Sequence, residues 1–180
     1  MAKENHTQYA ILGLLTTECR TGYSIKQMID TSLNHFWKIS YGQIYPTLKV
    51  LVEKGYASAV NQVQEGKPDK KEYTITAEGE KALKEWIQLP VQQLPTEKNE
   101  LLLKLFFSRN QDIQDTLDHL EAYREKLLDR HHTYLGIQEM IKTQLPEQPD
   151  APFWLITLDY GLRTTLAAID WCDETRRTLS

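Results

Sequence analysis

The stretch SYGQIYPTLKVL, residues 40 to 51, decides how this chain is read. Ser40 followed three residues later by Gln43 is the capping-box pattern that opens a helix. Ile44, Leu48, Leu51 and Val52 supply its apolar stripe until Gly55 stops it. At about 100° per residue, Ile44, Leu48 and Leu51 fall on one side, and Gly42, Gln43, Pro46 and Lys49 on the other. Pro46 conflicts with a regular start. Lying beyond the first turn, it deletes the bond to the Gly42 carbonyl and disfavours helical geometry at Tyr45, so the helix is expected to begin late or irregularly. The freed carbonyl needs water, which suits a helix start at the surface better than one in a core.

Upstream, Thr7 is positioned to cap a helix carrying Ile11, Leu14 and Leu15. Thr21-Gly22 separates it from a second helix with Tyr23, Ile25, Met28, Ile29 and Leu33 that expires near Asn34. Downstream of Gly55 the period shortens to about two, with Tyr56, Ser58 and Val60 in one run and Glu72 to Thr76 in the next, around a turn at EGKPD, residues 65 to 69. Thr76 can cap a fourth helix to about Leu89, with Glu78 and Glu80 at its positive end and Ala82, Leu83, Trp86 and Ile87 turned inward. Helix, helix, helix, hairpin, helix is the order of a winged helix-turn-helix with a two-stranded wing. The prolines of PVQQLP, residues 90 to 95, end the pattern. The expected fold is therefore mainly α: a winged domain over residues 1–90 and an all-helical domain over 91–180.

In such a fold the outward side of the third helix is what DNA would meet. Gln43 is of the type that pairs with adenine N6 and N7, Ser40 and Tyr41 can donate to phosphates near the helix N-terminus, and Lys49 can serve a guanine or a phosphate. Gly42 removes a side chain where close approach helps. The helix holds no arginine, so readout is expected to lean on adenine, thymine methyl groups and DNA shape, at an A·T-rich half-site. Lys67, Lys70 and Lys71 around Gly66 and Pro68 form a positive wing tip able to reach phosphates. Lysine-rich hairpin tips are also commonly plain solvated turns; the position after a helix-turn-helix is what favours a DNA role here.

The net charge of −4 looks wrong for a nucleic-acid binder, but it averages an asymmetry. Residues 1–90 carry 11 Lys+Arg against 10 Asp+Glu, and residues 91–180 carry 10 against 15. Anion binding therefore belongs to the first half. The N-terminus lacks an apolar signal segment and the longest apolar runs are far too short to span a bilayer, so a cytoplasmic protein without membrane contact is expected. Cys19 and Cys172 are isolated and outside any metal-binding spacing. The five histidines lack the spacing of a helical zinc pair, and no glycine-rich phosphate loop or paired nucleophile and base is present. No enzymatic activity, metal or cofactor is expected.

Gly22-Tyr23 with Ile25, the string Ser40 to Leu48 running on to Leu51 and Gly55, the strand Lys71 to Thr76, and Gly79 together resemble the PadR family of bacterial transcription regulators. Asn99 to Ser108, NELLLKLFFS, resembles the start of the C-terminal domain of its longer members, sometimes named for a virulence activator. The resemblance implies a homodimer on a near-palindromic operator, acting as a repressor of a nearby operon, associated with the nucleoid when bound and released by a small aromatic or phenolic effector. It implies that the matched positions Ser40, Gly42, Gln43, Tyr45 and Pro46 lie at or beside the DNA, and the full expected DNA-binding set is Tyr23, Lys26, Ser40, Tyr41, Gly42, Gln43, Tyr45, Pro46, Lys49, Lys67, Lys70 and Lys71. The wing departs most from the family, with lysines where many members show arginines.

In the second half a 4-3 spacing runs through Ile113, Leu117, Leu120, Arg124, Leu127, His131, Tyr134, Gln138, Ile141 and Leu145, over a helix of roughly 50 Å. Its polar members and the extra Leu128 and Leu135 favour a bundle shared between protomers over a simple coil. A last helix from Asp150 and Pro152 is apolar over most of its girth, and Gly161, Thr165 and Ala168 line up as a close-approach stripe. Leu101, Leu105, Leu117, Leu155, Leu158, Leu162, Leu166 and Ile169 are the expected dimer interface. Trp154, Tyr160, Trp171, Phe106 and Phe107 would suit an aromatic effector, but aromatic stripes at helical spacing are usually core, so core packing is the favoured reading and no ligand residue is assigned. The competing reading is a winged-helix protein-interaction module without DNA binding.

Overall fold

Helix α3, Tyr41–Glu53, starts where Ser40 leaves extended geometry (ψ 148°) and passes through Pro46 without a break. The expected late or irregular start is therefore not what the chain adopts. Pro46 and Gly42 are both exposed, so the carbonyl that loses its intrahelical partner sits where water can reach it. The far end closes on Gly55, whose φ of +72° is the left-handed value a glycine takes at little cost. Tyr56 N–H donates to the Leu51 carbonyl at 2.9 Å and Gly55 N–H to that of Val52 at 3.0 Å, satisfying the last carbonyls.

The computed structural model describes residues 6–62, 70–94 and 98–179. The elements of the first unit are α1 (His6–Leu15), α2 (Gly22–Thr31), a short 3-10 turn (Leu33–His35), α3, β1 (Ala57–Gln62), β2 (Lys70–Ile75) and α4 (Ala77–Gln88). Ile11, Leu12, Ile25, Ile29, Ile44, Leu48 and Leu51 are almost wholly buried and make one core beneath the helices. The strands are antiparallel, with Ala57 opposite Ile75 and Ala59 opposite Tyr73. That register corrects the expected strand face: Ala57 is buried and Ala59 packs on the core, while Val60 is 64% exposed. Side chains alternate, so choosing Ala57 and Ala59 for the core turns Ser58 and Val60 to solvent.

Two local expectations also shift. Thr7 lies inside α1 and is buried, so it is not a cap. In α4 the residue buried deepest is Gly79; Ala82, Leu83 and Trp86 are half-buried and Ile87 is 65% exposed. Thr76 does cap α4, accepting from Gly79 N–H at 3.1 Å. Trp86 stacks on Tyr9 of α1, with ring centres 4.7 Å apart.

The chain divides into two compact units at residues 94 and 95, slightly beyond the expected boundary at 90. The second holds α5 (Glu100–Phe106), a 3-10 turn (Ser108–Asn110), α6 (Ile113–Gln144) and α7 (Ala151–Leu179). Helices α6 and α7 run antiparallel as a hairpin: Tyr134 meets Gly161, Arg124 Nε donates to Asp173 Oδ1 at 2.7 Å, and Glu121 pairs with Arg176. Leu120, Leu127, Tyr134 and Ile141, spaced by seven, are the buried seam of α6. The Asp173 contact gives Arg124, a polar member of the expected heptad line, a partner within the chain.

This hairpin gives part of the expected dimer set partners within the chain. Leu162, Thr165 and Ile169 are buried on α7, and Ile169 shares a cluster with Leu101, Leu120, Leu127 and Cys172. A methyl group at Gly161 would lie 2.8 Å from the Tyr134 ring, so the small-residue stripe admits α6 of the same chain. The burial of Leu101, Leu162 and Ile169 is thus accounted for within one protomer. Leu105, Leu117, Leu155 and Leu158 are half-buried and Leu166 is exposed. The apolar side left open on α7 is Phe153, Ile156 and Tyr160, at steps of three and four.

Candidate nucleic-acid interface

Helices α2 and α3 present one continuous exposed surface. Tyr41, Gly42, Gln43, Tyr45, Pro46 and Lys49 are all exposed on α3, while Ile44, Thr47, Leu48 and Leu51 are committed to the core. Tyr23, exposed, and Lys26, half-buried, come from α2. The sequence arithmetic that separated the two sides of α3 therefore holds residue by residue. Space around Gly42 is open, with nothing within 4 Å of where a methyl group would stand.

The hydroxyls expected to donate outward are occupied. Tyr41 OH donates to Asp30 Oδ2 at 2.5 Å, and Ser40 Oγ donates to Gln43 Oε1 at 2.9 Å. The Lys26 ammonium stands 3.9 Å from the centre of the Tyr41 ring, where the π-face attracts it. The hydrogen bond to Asp30, with some burial and the carboxylate charge, raises the Tyr41 pKa above its ordinary 10.0. Asp30 escaped the sequence reading, although its i, i+4 spacing from Lys26 on α2 could have flagged the pair. Together Lys26, Asp30 and Tyr41 tie α2 to the first residue of α3, which fixes the angle between the two helices of the motif.

Tyr45 forms a second tie. A methyl group at Gly22 would fall 2.5 Å from the Tyr45 ring, so the absence of a side chain there is what lets the ring lie over the start of α2. Thr21 and Ser24 make a reciprocal cap at that start, Ser24 N–H donating to Thr21 Oγ1 at 3.1 Å and Thr21 N–H to Ser24 Oγ at 3.0 Å. Strand β2 docks on the same segment: Tyr73 N–H donates to the Arg20 carbonyl at 2.7 Å, and Thr21 forms a bridge with Glu72. Burial, with Tyr45 nearby, raises the Tyr73 pKa as well. The base of the wing and the start of α2 are thereby held to one frame, and Tyr45, 60% exposed, still offers much of its ring to a ligand.

Lys49 pairs with Glu53 at 3.7 Å with both side chains largely in solvent, an interaction weak enough for a phosphate to replace. On the wing, Lys71 lies 5.8 Å from the Tyr73 ring, and Lys70 begins β2. Lys67, with the rest of the expected tip, lies outside the described residues. Among the described residues no cluster suited to a metal ion occurs, and no helix is long and apolar enough to cross a membrane. The surface offers cations, exposed aromatic rings and an unobstructed helix face, a combination fitted to an anionic, grooved partner.

Comparison with known proteins gives the same division. Residues 11–85 match the family described as the Transcriptional regulator PadR-like family, and residues 97–180 match the family described as Virulence activator alpha C-term. The negative transcriptional regulator PadR of Bacillus subtilis is 32% identical over 172 residues, covering 93% of each chain. Bacillus subtilis PadR solved with operator DNA superimposes with a TM-score of 0.85 at 28% identity, covering 97% of this chain and 99% of that one. The same regulator solved with p-coumaric acid gives a TM-score of 0.78 at 26% identity, covering 96% and 97%.

Proposed function

Because the chain belongs to the PadR family of transcriptional regulators, with the virulence-activator type of C-terminal domain, we propose that it binds operator DNA as a homodimeric repressor of a nearby operon. It is a regulator and not an enzyme. The observation that carries the reading is the exposed face of α3, whose opposite side is wholly taken up by the core, beside Tyr23 and Lys26 of α2. Lys49 and the wing residue Lys71, with Lys67 and Lys70 from the sequence, supply phosphate contacts. Tyr45 and Pro46 present apolar surface toward base edges, with thymine methyl groups as their natural partners.

Two identical protomers imply a near-palindromic operator, the half-sites being related by the protein's own two-fold axis. Support for association comes from Phe153, Ile156 and Tyr160, apolar side chains on an amphipathic helix that a single chain leaves uncovered. Leu155, Leu158 and Leu166 border them. The effector is proposed to be a small aromatic or phenolic acid, as in the p-coumaric acid complex of the Bacillus subtilis regulator. Repression takes place in the bacterial cytoplasm.

The test is equilibrium binding of the full-length protein to duplex from upstream of its own gene and to random duplex, across a salt series. DNA binding predicts tighter association with the upstream duplex and a steep fall with salt on both, because phosphate contacts release counterions. Binding that ignores salt, or no binding, would leave a winged-helix protein-interaction module as the better description. Adding p-coumaric acid to the bound complex should lower the affinity for the upstream duplex.

A further inference from the structure

We propose that Gln43 meets DNA through its amide NH2 alone, donating to an acceptor on the operator, and that it does not make the two-pronged contact with adenine its residue type suggests. The proposal rests on the DNA-binding function above. Gln43 Oε1 accepts two hydrogen bonds from Ser40, from the backbone N–H at 3.0 Å and from Oγ at 2.9 Å. An amide oxygen has two lone pairs, and both are engaged. The orientation of the amide is fixed by chemistry: a backbone N–H can only donate, so the atom opposite Ser40 N must be the oxygen. The nitrogen is left on the solvent side of an exposed residue, next to the open space at Gly42.

Adenine presents one acceptor, N7, and one donor, N6, in the major groove, so reading it with both prongs requires a free amide oxygen. Turning Gln43 to provide one breaks two hydrogen bonds at the start of α3 to gain two on the base, without net advantage. A group that can only donate suits adenine N7, guanine N7 or O6, thymine O4 or a phosphate oxygen equally well. These share one chemistry, an acceptor oxygen or nitrogen, and differ in whether sequence is read.

The experiment starts by selecting the preferred duplex of the full-length protein from a random pool. Affinities of wild type and Gln43→Ala are then compared on duplexes carrying single replacements: 2-aminopurine for adenine, which removes the major-groove donor; 7-deazaadenine, 7-deazaguanine or 4-thiothymine, which remove or weaken an acceptor; and methylphosphonate for one phosphate. The expected result is one position per half-site where an acceptor replacement weakens wild type about tenfold and Gln43→Ala hardly at all. A base replacement there identifies readout, a methylphosphonate identifies positioning. Gln43→Glu keeps an acceptor for Ser40 and so keeps α3 capped, yet has no donor. It should unfold no earlier than wild type and lose the same coupling. Coupling to 2-aminopurine, or no coupling anywhere in variants that stay folded, overturns the proposal. If instead wild type selects no sequence and ignores salt, it is the DNA-binding reading that fails, and the proposal falls with it.

Discussion

Replacing Gly79 by alanine should strike the joint between α4 and the wing. The added methyl carbon would lie 2.0 Å from the Tyr56 carbonyl oxygen, so the two must part by at least 1 Å to reach the 3.0 Å below which such contacts essentially never occur. That oxygen already accepts from Thr76 N–H at 3.0 Å, and Thr76 both donates to the Gly55 carbonyl at 2.6 Å and accepts from Gly79 N–H at 3.1 Å. A displacement of this size overpacks the joint, at about 1 to 3 kcal/mol, and breaks one or two hydrogen bonds, at about 0.5 to 1.5 kcal/mol each. Alanine returns about 1 kcal/mol as the better helix former, which leaves a net loss of roughly 3 kcal/mol. Urea unfolding at fixed protein concentration, followed by tryptophan fluorescence and circular dichroism, should show the midpoint falling by about 1 to 3 M. Gly13→Ala is the control: it sits in α1 with nothing within 4 Å of the new methyl group, so it should gain about 0.5 to 1 kcal/mol. If Gly79→Ala behaved like Gly13→Ala, the close approach of α4 to Tyr56 would be refuted.

Asp30→Ala should release the Tyr41 hydroxyl and remove a negative charge beside the proposed phosphate contacts, so DNA affinity should rise, by no more than about fivefold and most at low salt. The same change should move one tyrosine in an alkaline absorbance titration down toward 10.0. In wild type, whose folded-state pKa is raised, the contribution of that bond to stability is full below pH 10 and is lost as pH climbs through the raised value. An unchanged titration curve would remove Asp30 from the account. Lys49→Ala and Lys71→Ala should each weaken specific and random duplex alike and reduce the log–log salt slope by about 1, and a sequence-dependent loss would mean that they read bases. Ile156→Glu, at a side chain 67% exposed in one chain, should leave helix content intact while light scattering reports the monomer mass; a persisting dimer would put the interface elsewhere.

Much of the first unit was legible because apolar spacing and chain breakers carry the same message there. The stripe of Ile44, Leu48 and Leu51, the S-x-x-Q start and the Gly55 stop all bound one helix, and each is where the pattern required. The strand face was not legible because its buried members are Ala57 and Ala59, too small to register as an apolar run, while Val60 stands in solvent. In the second unit the difficulty was excess. Helix α7 is apolar on most sides, and spacing alone does not say which side a helix of the same chain covers. The answer depends on contacts such as Tyr134 on Gly161, 27 positions apart in the sequence. With Leu162 and Ile169 buried against α6, the large apolar side chains left exposed on α7 include Phe153, Ile156 and Tyr160, which spacing alone did not single out.

The candidate interface shows a different limit. Each residue type at 40 to 49 suggested a contact with DNA, and each suggestion was chemically sound on its own. Hydrogen-bonding capacity, however, is finite and is shared with the fold. The pattern that identified the start of α3, Ser40 with Gln43, and the pattern that suggested adenine recognition invoke the same amide oxygen, which accepts from Ser40 twice. The Tyr41 hydroxyl is likewise held by Asp30, eleven residues earlier. A residue that caps a recognition helix has therefore to be read by what its cap leaves over. Here that is two N–H bonds at Gln43, the ring of Tyr45 and the ammonium of Lys49, a set suited to acceptors and shape more than to the paired acceptor and donor of adenine.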